Sequence, residues 1–190
     1  MKAHVSLRVL GAALALGLIV GGCGGGGGGS SNRVTVSGDA NFPVALGGQA
    51  VANAPFTIID PDRPNDPLRS DISTGDGHFF GVIRKTISVA VILNGTVNGK
   101  AVRVSGLLDA EHNNTTKQLD GQTDIACEAG VQAVIDGQIG GDDLDLFRIQ
   151  NLEDAAARFV AQTDFTNPAS VTAAANQVRA LTDNGARPAP

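Results

Sequence analysis

The sequence predicts an α+β fold: a β-sandwich of about six or seven strands, followed by a three-helix segment. Two observations carry that expectation. Between residues 33 and 108, short apolar runs alternate with polar residues and are broken by Gly, Pro, Asn and Asp clusters. After Leu108 the apolar spacing lengthens to three and four residues, the period of a helix face. Composition agrees with a folded chain, because 42% apolar residues supply a core and 17% charged residues are too few for an acidic disordered polymer.

The strands follow in order. Val34 and Val36 alternate with polar neighbours. Ala50 to Asp60 carries Val51, Phe56, Ile58 and Ile59, and ends in a turn cluster from Pro61 to Pro67. Ile72 opens a short strand that reaches the tight turn Ser73-Thr74-Gly75-Asp76-Gly77. His78-Phe79-Phe80 starts the next strand, and the β-branched run from Thr86 to Leu93 suits a buried central one. Ala101 to Leu107 places Val102 and Val104 on one face. Between these last two runs, Asn94-Gly95 and Asn98-Gly99 are both favourable hairpin dipeptides.

Residues 109–121 are polar and read as a linker to a helical segment over 122–184. Its first helix has Cys127, Val131, Val134 and Ile135 on one face. The second groups Leu152, Ala155, Ala156, Phe159 and Val160, with Asn151 as N-cap. A short helical turn is expected over Leu144 to Ile149. The third helix starts at Pro168 after an Asn167 cap, buries Val171, Ala174, Ala175, Val178 and Leu181, and ends at Asn184-Gly185. Residues 185–190 form a flexible tail.

The N-terminus has a different logic. Lys2 and Arg8 form a positive n-region, Val9 to Val20 form an uncharged h-region, and Val20-Gly21-Gly22-Cys23 ends it. This order resembles the signal peptide and lipobox of bacterial lipoproteins. The resemblance implies a signal over 1–22, with Cys23 acylated as the mature N-terminus and holding the chain to a membrane. Residues 23–32 then comprise the lipidated cysteine and a Gly/Ser tether, a coil with a reach of about 15–20 Å. Gly24 after the cysteine resembles the sorting pattern for the outer membrane.

Removal of the signal leaves 12 Lys+Arg against 19 Asp+Glu, a net charge of −7. That surface repels phosphate backbones, so nucleic acid is excluded as a partner. Trp and Tyr are both absent, which removes the usual stacking platforms and makes carbohydrate an unfavourable ligand. With Cys23 acylated, Cys127 has no disulfide partner.

The turn Ser73-Thr74-Gly75-Asp76-Gly77-His78-Phe79 matches, at Asp76, Gly77 and Phe79, the form Thr-Asp-x-Asn/Asp-Gly-x-Phe. The run Gly48 to Phe56 adds to the likeness. Residues 33–108 therefore resemble the carboxypeptidase regulatory-like domain, a transthyretin-like Greek-key sandwich. The resemblance implies a structural role for Asp76, Gly77 and Phe79, and no activity. Zinc hydrolysis needs about three His, Asp or Glu ligands. The two histidines left after the signal, His78 and His112, sit in no zinc motif, so neither metal nor cofactor is expected.

The remaining candidates read as structure. Asp142, Asp143 and Asp145 lack the spacing of a calcium loop and suit a helix start. Asp60, Asp62 and Asp66 suit turns. Asn113-Asn114-Thr115 matches a glycosylation sequon by coincidence. Cys127, on an apolar stripe, reads as an inert thiol, and no Gly-x-Ser-x-Gly elbow is present. The expected function is a non-catalytic, membrane-tethered interaction or structural module of the cell envelope, with a protein partner. Two alternatives remain: a small hydrolase or thiol enzyme using Cys127 with His112, and a periplasmic carrier with a pocket between the two halves.

Overall fold

Seven strands precede three helices in the computed structural model, which describes residues 32–111 and 115–182. Strands β1 (Arg33–Ala40), β4 (His78–Arg84) and β7 (Thr116–Leu119) form a three-stranded sheet in the order β4-β1-β7. Its β1–β4 pair is antiparallel and its β1–β7 pair parallel. Strands β2 (Pro55–Asp60), β3 (Arg63–Ile72), β5 (Ser88–Val97) and β6 (Lys100–Asp109) form an antiparallel sheet in the order β3-β2-β5-β6. The sheets face one another. Phe56 of β2 and Phe79 of β4 meet between them, with ring centroids 6.1 Å apart and planes tilted by 56°.

Helices α1 (Gly121–Ile135), α2 (Leu146–Ala156) and α3 (Pro168–Leu181) cover the outer face of the second sheet at its β6 side. The period of two explains how β5 and β6 serve both neighbours. Val89, Val91 and Leu93, with Val102, Val104 and Leu108, point between the sheets. Ala90 lies opposite Leu107, on the face where Ser105 and Leu107 meet α1. Buried on both faces, the middle of β5 needs the unbroken apolar run that it has.

Asn98 and Gly99, at φ 51° and 78°, make the two-residue turn between β5 and β6. Asn94-Gly95 does not form a hairpin. It lies within β5, where a Cβ at Gly95 would come within 2.6 Å of the Phe42 ring.

The stretch Pro61 to Pro67, expected as a turn, is mostly strand. Only Pro61-Asp62 turns, and β3 then runs to Ile72, which closes a strand rather than opening one. Pro64 and Pro67 are tolerated because β3 is the edge of its sheet and pairs with β2 alone, with register shifts beside Ile59. The stretch 109–121, expected as a linker, contains β7. Four residues with one buried side chain, Leu119, give too short an alternation to be read from sequence.

The helices also depart from expectation. Helix α1 is buried nearly all round, at Thr123, Asp124, Ile125, Ala126, Cys127, Ala129, Gly130 and Ala133. Its expected stripe is misplaced: Val131 and Val134 are half-buried and Ile135 is exposed. A helix enclosed by a sheet and two other helices has no polar face to set a period. Asp120 caps it, accepting from the Gln122 and Thr123 amides, while the Thr123 hydroxyl accepts from the Asp120 amide.

Helix α2 begins six residues earlier than an Asn151 cap requires, with Asp145 accepting from the Arg148 amide at 2.8 Å. Phe159 and Val160 lie beyond it, half-buried. Helix α3 starts at Pro168 with the Asn167 side chain accepting from the Ala169 amide. It buries Val171, Ala174, Ala175 and Val178, while Leu181 is 51% exposed. Cys23, the tether from Gly24 to Ser31, His112 to Asn114 and the Asn184-Gly185 helix end lie outside the described residues. Among the described residues, no helix is long and apolar enough to cross a membrane.

Candidate functional site

The turn singled out by sequence is held from within. The Thr74 hydroxyl donates to Asp76 and accepts from the His78 amide at 3.0 Å, closing a small ring over Gly75. Thr74 and backbone donors hold the Asp76 carboxyl below the usual carboxylate range. Gly77 adopts φ +82°, and a Cβ there would lie 2.7 Å from the Ala40 carbonyl oxygen. Phe79 is fully buried against Phe56. His78 pairs through Nδ1 with Asp39 at 2.9 Å, on the exposed face of the sheet. Asp76, Gly77 and Phe79 therefore shape one turn of the sandwich and line neither pocket described below.

The acidic candidates are used locally. Asp60 accepts from the Asp62 amide and from Arg63. Asp62 accepts from the Gly141 amide at 2.8 Å and so ties the β2–β3 turn to the loop before α2. Asp143 accepts from the Gly140 amide, and Asp145 caps α2. Among the described residues, no group of three or more His, Cys, Asp or Glu side chains could hold a metal ion.

Cys127 sits on α1 and is 2% exposed. Burial pushes its thiol up to about 12, although Ser105 and Arg103 pull the other way. A thiol so placed is protonated at neutral pH and closed to a substrate.

The most unusual chemistry lies beside it, where strand alternation and helix periodicity converge. Arg103 stands between Val102 and Val104, on the face of β6 turned to α1. Asp124 and Glu128, four apart on α1, lie on one side of that helix. Arg103 Nε donates to Asp124 Oδ1 at 3.1 Å, and Arg103 Nη1 reaches Glu128 Oε2 at 2.9 Å. The Ser105 hydroxyl donates to the same Asp124 Oδ1 at 2.6 Å, and among the described residues Asp124 Oδ2 has no hydrogen-bond partner. A buried acceptor left without a donor costs about 1–3 kcal/mol. Burial raises the Asp124 pKa, against the pull of Arg103 and Ser105. Burial opposes the Arg103 charge too, but Asp124 and Glu128 outweigh it and raise its pKa.

These three residues form the polar end of a pocket of about 300 Å³ between β5–β6 and α1–α3. Phe165, Pro168 and Val171 supply apolar walls, and Asn94 and Thr172 add polar groups at the edge. A smaller pocket of about 140 Å³ lies where Lys117 of β7 donates to the Leu107 carbonyl and pairs with Glu153 of α2. That pair reads as a brace between sheet and helix.

Sequence reasoning missed the Arg103–Asp124–Glu128 cluster. Its signal was present: two acids at i and i+4 repel each other, and on a helix otherwise rich in Ala, Ile and Val they need a cation between them.

No family model and no curated protein matches this chain. Among solved structures, a 9R-lipoxygenase from Cyanothece PCC8801 is similar over 66% of this chain and 25% of its own length, at 10% identity and a TM-score of 0.30. A likeness that slight carries no argument about fold or chemistry.

Proposed function

We propose that this chain is a non-catalytic lipoprotein of the cell envelope, anchored at the outer membrane through an acylated Cys23 and acting as an interaction or structural module. The anchor reading is supported by the order of n-region, h-region, small residues, Cys23 and tether. Multiple acyl chains would give lasting attachment, since each buried methylene contributes about 0.8 kcal/mol. The passage of the chain between sheets from β1 to β2, β3 to β4 and β4 to β5 supports the Greek-key, carboxypeptidase regulatory-like reading.

The observation that carries the interaction reading is an exposed apolar pair. Phe80 and Val82, alternating outward on β4, are 53% and 38% exposed on the outer face of the three-stranded sheet. Their cross-strand partners are Ser37 and Thr35 of β1. A protein partner suits this face better than nucleic acid or sugar, given the net charge of −7 and the absence of Trp and Tyr. The thiol-enzyme alternative is disfavoured by the burial of Cys127.

Crosslinking in the native envelope, comparing the parent chain with Phe80→Glu, tests the reading. A captured protein that disappears in Phe80→Glu is the expected result. Equal capture by both chains, or peptide or ester hydrolysis that is lost in Cys127→Ser, overturns it. Intact-mass analysis of the mature N-terminus tests the anchor separately, and an unmodified Cys23 ends that part.

A second reading, a periplasmic small-ligand carrier, is favoured by one observation: the pocket between sandwich and helices has apolar walls and a charged end.

A further inference from the structure

We infer that the pocket at Arg103, Asp124 and Glu128 binds a small organic cation, a primary ammonium or guanidinium group on an apolar body. The inference rests on the carrier reading and specifies its ligand. Three features of the site point the same way.

The first is charge. With both carboxyls ionised, two carboxylates face one guanidinium and leave one negative charge in excess, which burial of Asp124 opposes until a cation offsets it. Two of the three Arg103 nitrogens are engaged, Nε by Asp124 and Nη1 by Glu128, which weakens it as an anion clamp. An anionic ligand would meet two carboxylates at the polar end. A cation would complete the balance.

The second is the unused acceptor. Asp124 lines the pocket and is 1% exposed, and both of its donors converge on Oδ1. Its Oδ2 takes no hydrogen bond among the described residues. Buried polar atoms in folded proteins are nearly always paired; Oδ2 is closed to solvent as the pocket stands, so a ligand N–H that parts the side chains at the polar end would supply the donor it lacks.

The third is shape. About 300 Å³ lies at the small end of ligand pockets. Away from the cluster, Ala101, Phe165, Pro168 and Val171 offer apolar surface, while Thr172 donates to Glu128 and Asn94 lies at the sheet side. One charged group on a body the size of a single ring fits that division.

Benzylamine, benzyl alcohol and phenylacetate, titrated into the full chain and followed by calorimetry and by the methyl resonances of Ala101 and Val171, separate the outcomes. Benzylamine, protonated at neutral pH, is expected to shift both methyls and to bind at least about tenfold more tightly than benzyl alcohol. Asp124→Asn should remove most of that preference. Glu128→Gln, at a side chain 20% exposed on the rim and so safer for folding, should weaken benzylamine several-fold and leave benzyl alcohol unchanged. Equal binding of amine and alcohol overturns the cation inference while the carrier reading stands. Tighter binding of phenylacetate does the same. If no probe moves either methyl, both fall. Unchanged benzylamine affinity in both variants also overturns the inference.

Discussion

The two faces of the four-stranded sheet are built on opposite plans. Its inner face meets the three-stranded sheet through large side chains: Phe56, Ile58 and Leu93 against Phe79, all 1% exposed or less. Each such side chain stabilises the fold by about 1.5–3 kcal/mol through burial alone. The outer face meets α1 mainly through smaller residues: Ser105, with Leu107, from the sheet and Thr123, Cys127 and Gly130 from the helix. Small residues let the helix approach closely but remove less apolar surface. Where their run ends, a gap stays open and polar groups enter it, with Arg103, Asp124 and Glu128 among them. The first interface holds the fold together, and the second is where a site has formed.

The largest expected effect breaks the first interface. Phe79→Ala should cost about 3–5 kcal/mol in urea denaturation followed by far-ultraviolet circular dichroism, because ring loss leaves a cavity against Phe56. A cost below about 1 kcal/mol would mean that the inner face is not the main source of stability. The same spectra must contain both strand and helix signals; a purely helical spectrum contradicts the architecture.

Cys127 sharpens the comparison from the other side, since it reports whether the α1 interface is dry. Burial raises its thiol from 9.0 to about 12, so the folded chain keeps a proton that the unfolded chain loses. The group's contribution is therefore whole below pH 9.0 and falls away as pH rises toward about 12. Between pH 9 and about 10.5, the parent should lose about 1.5–2 kcal/mol more than Cys127→Ala. No Tyr is present to ionise in that range, and lysines cancel in the difference. A flat difference would show that solvent reaches the seam.

The same contrast explains what the sequence could tell. The inner interface follows from alternation, so Val34, Val36, Phe56, Ile58, Val102 and Val104 were legible as core one by one. Turns with special backbone needs were legible too, as at Asn98-Gly99 and Gly77. Edge strand β3 was not, because prolines that forbid a central strand are harmless where one side of the backbone stays unpaired. Helix α1 was misread because enclosure on all sides erases the amphipathic period. The cluster was hidden for a further reason. Arg103 and Asp124 belong to different elements 21 residues apart, and only the packing of α1 on β6 brings them together.

The smallest expected effect tests whether the helical layer can loosen alone. Asp145 caps α2 by accepting from the Arg148 amide at 2.8 Å, and its charge also suits the positive end of the helix. Asp145→Ala should cost about 1 kcal/mol. Asn151→Ala should cost nothing or gain a few tenths of a kcal/mol, about what helix propensity allows, because Asn151 lies inside α2 and not at its start. Amide exchange gives the sharper reading. In Asp145→Ala the α2 amides should exchange faster while those of β1, β2 and β5 keep their rates, as expected when small-residue contacts hold a layer to a strongly packed sandwich. Equal acceleration in strands and helix would mean that the two interfaces open as one unit, and the difference in their side chains would then have no thermodynamic consequence.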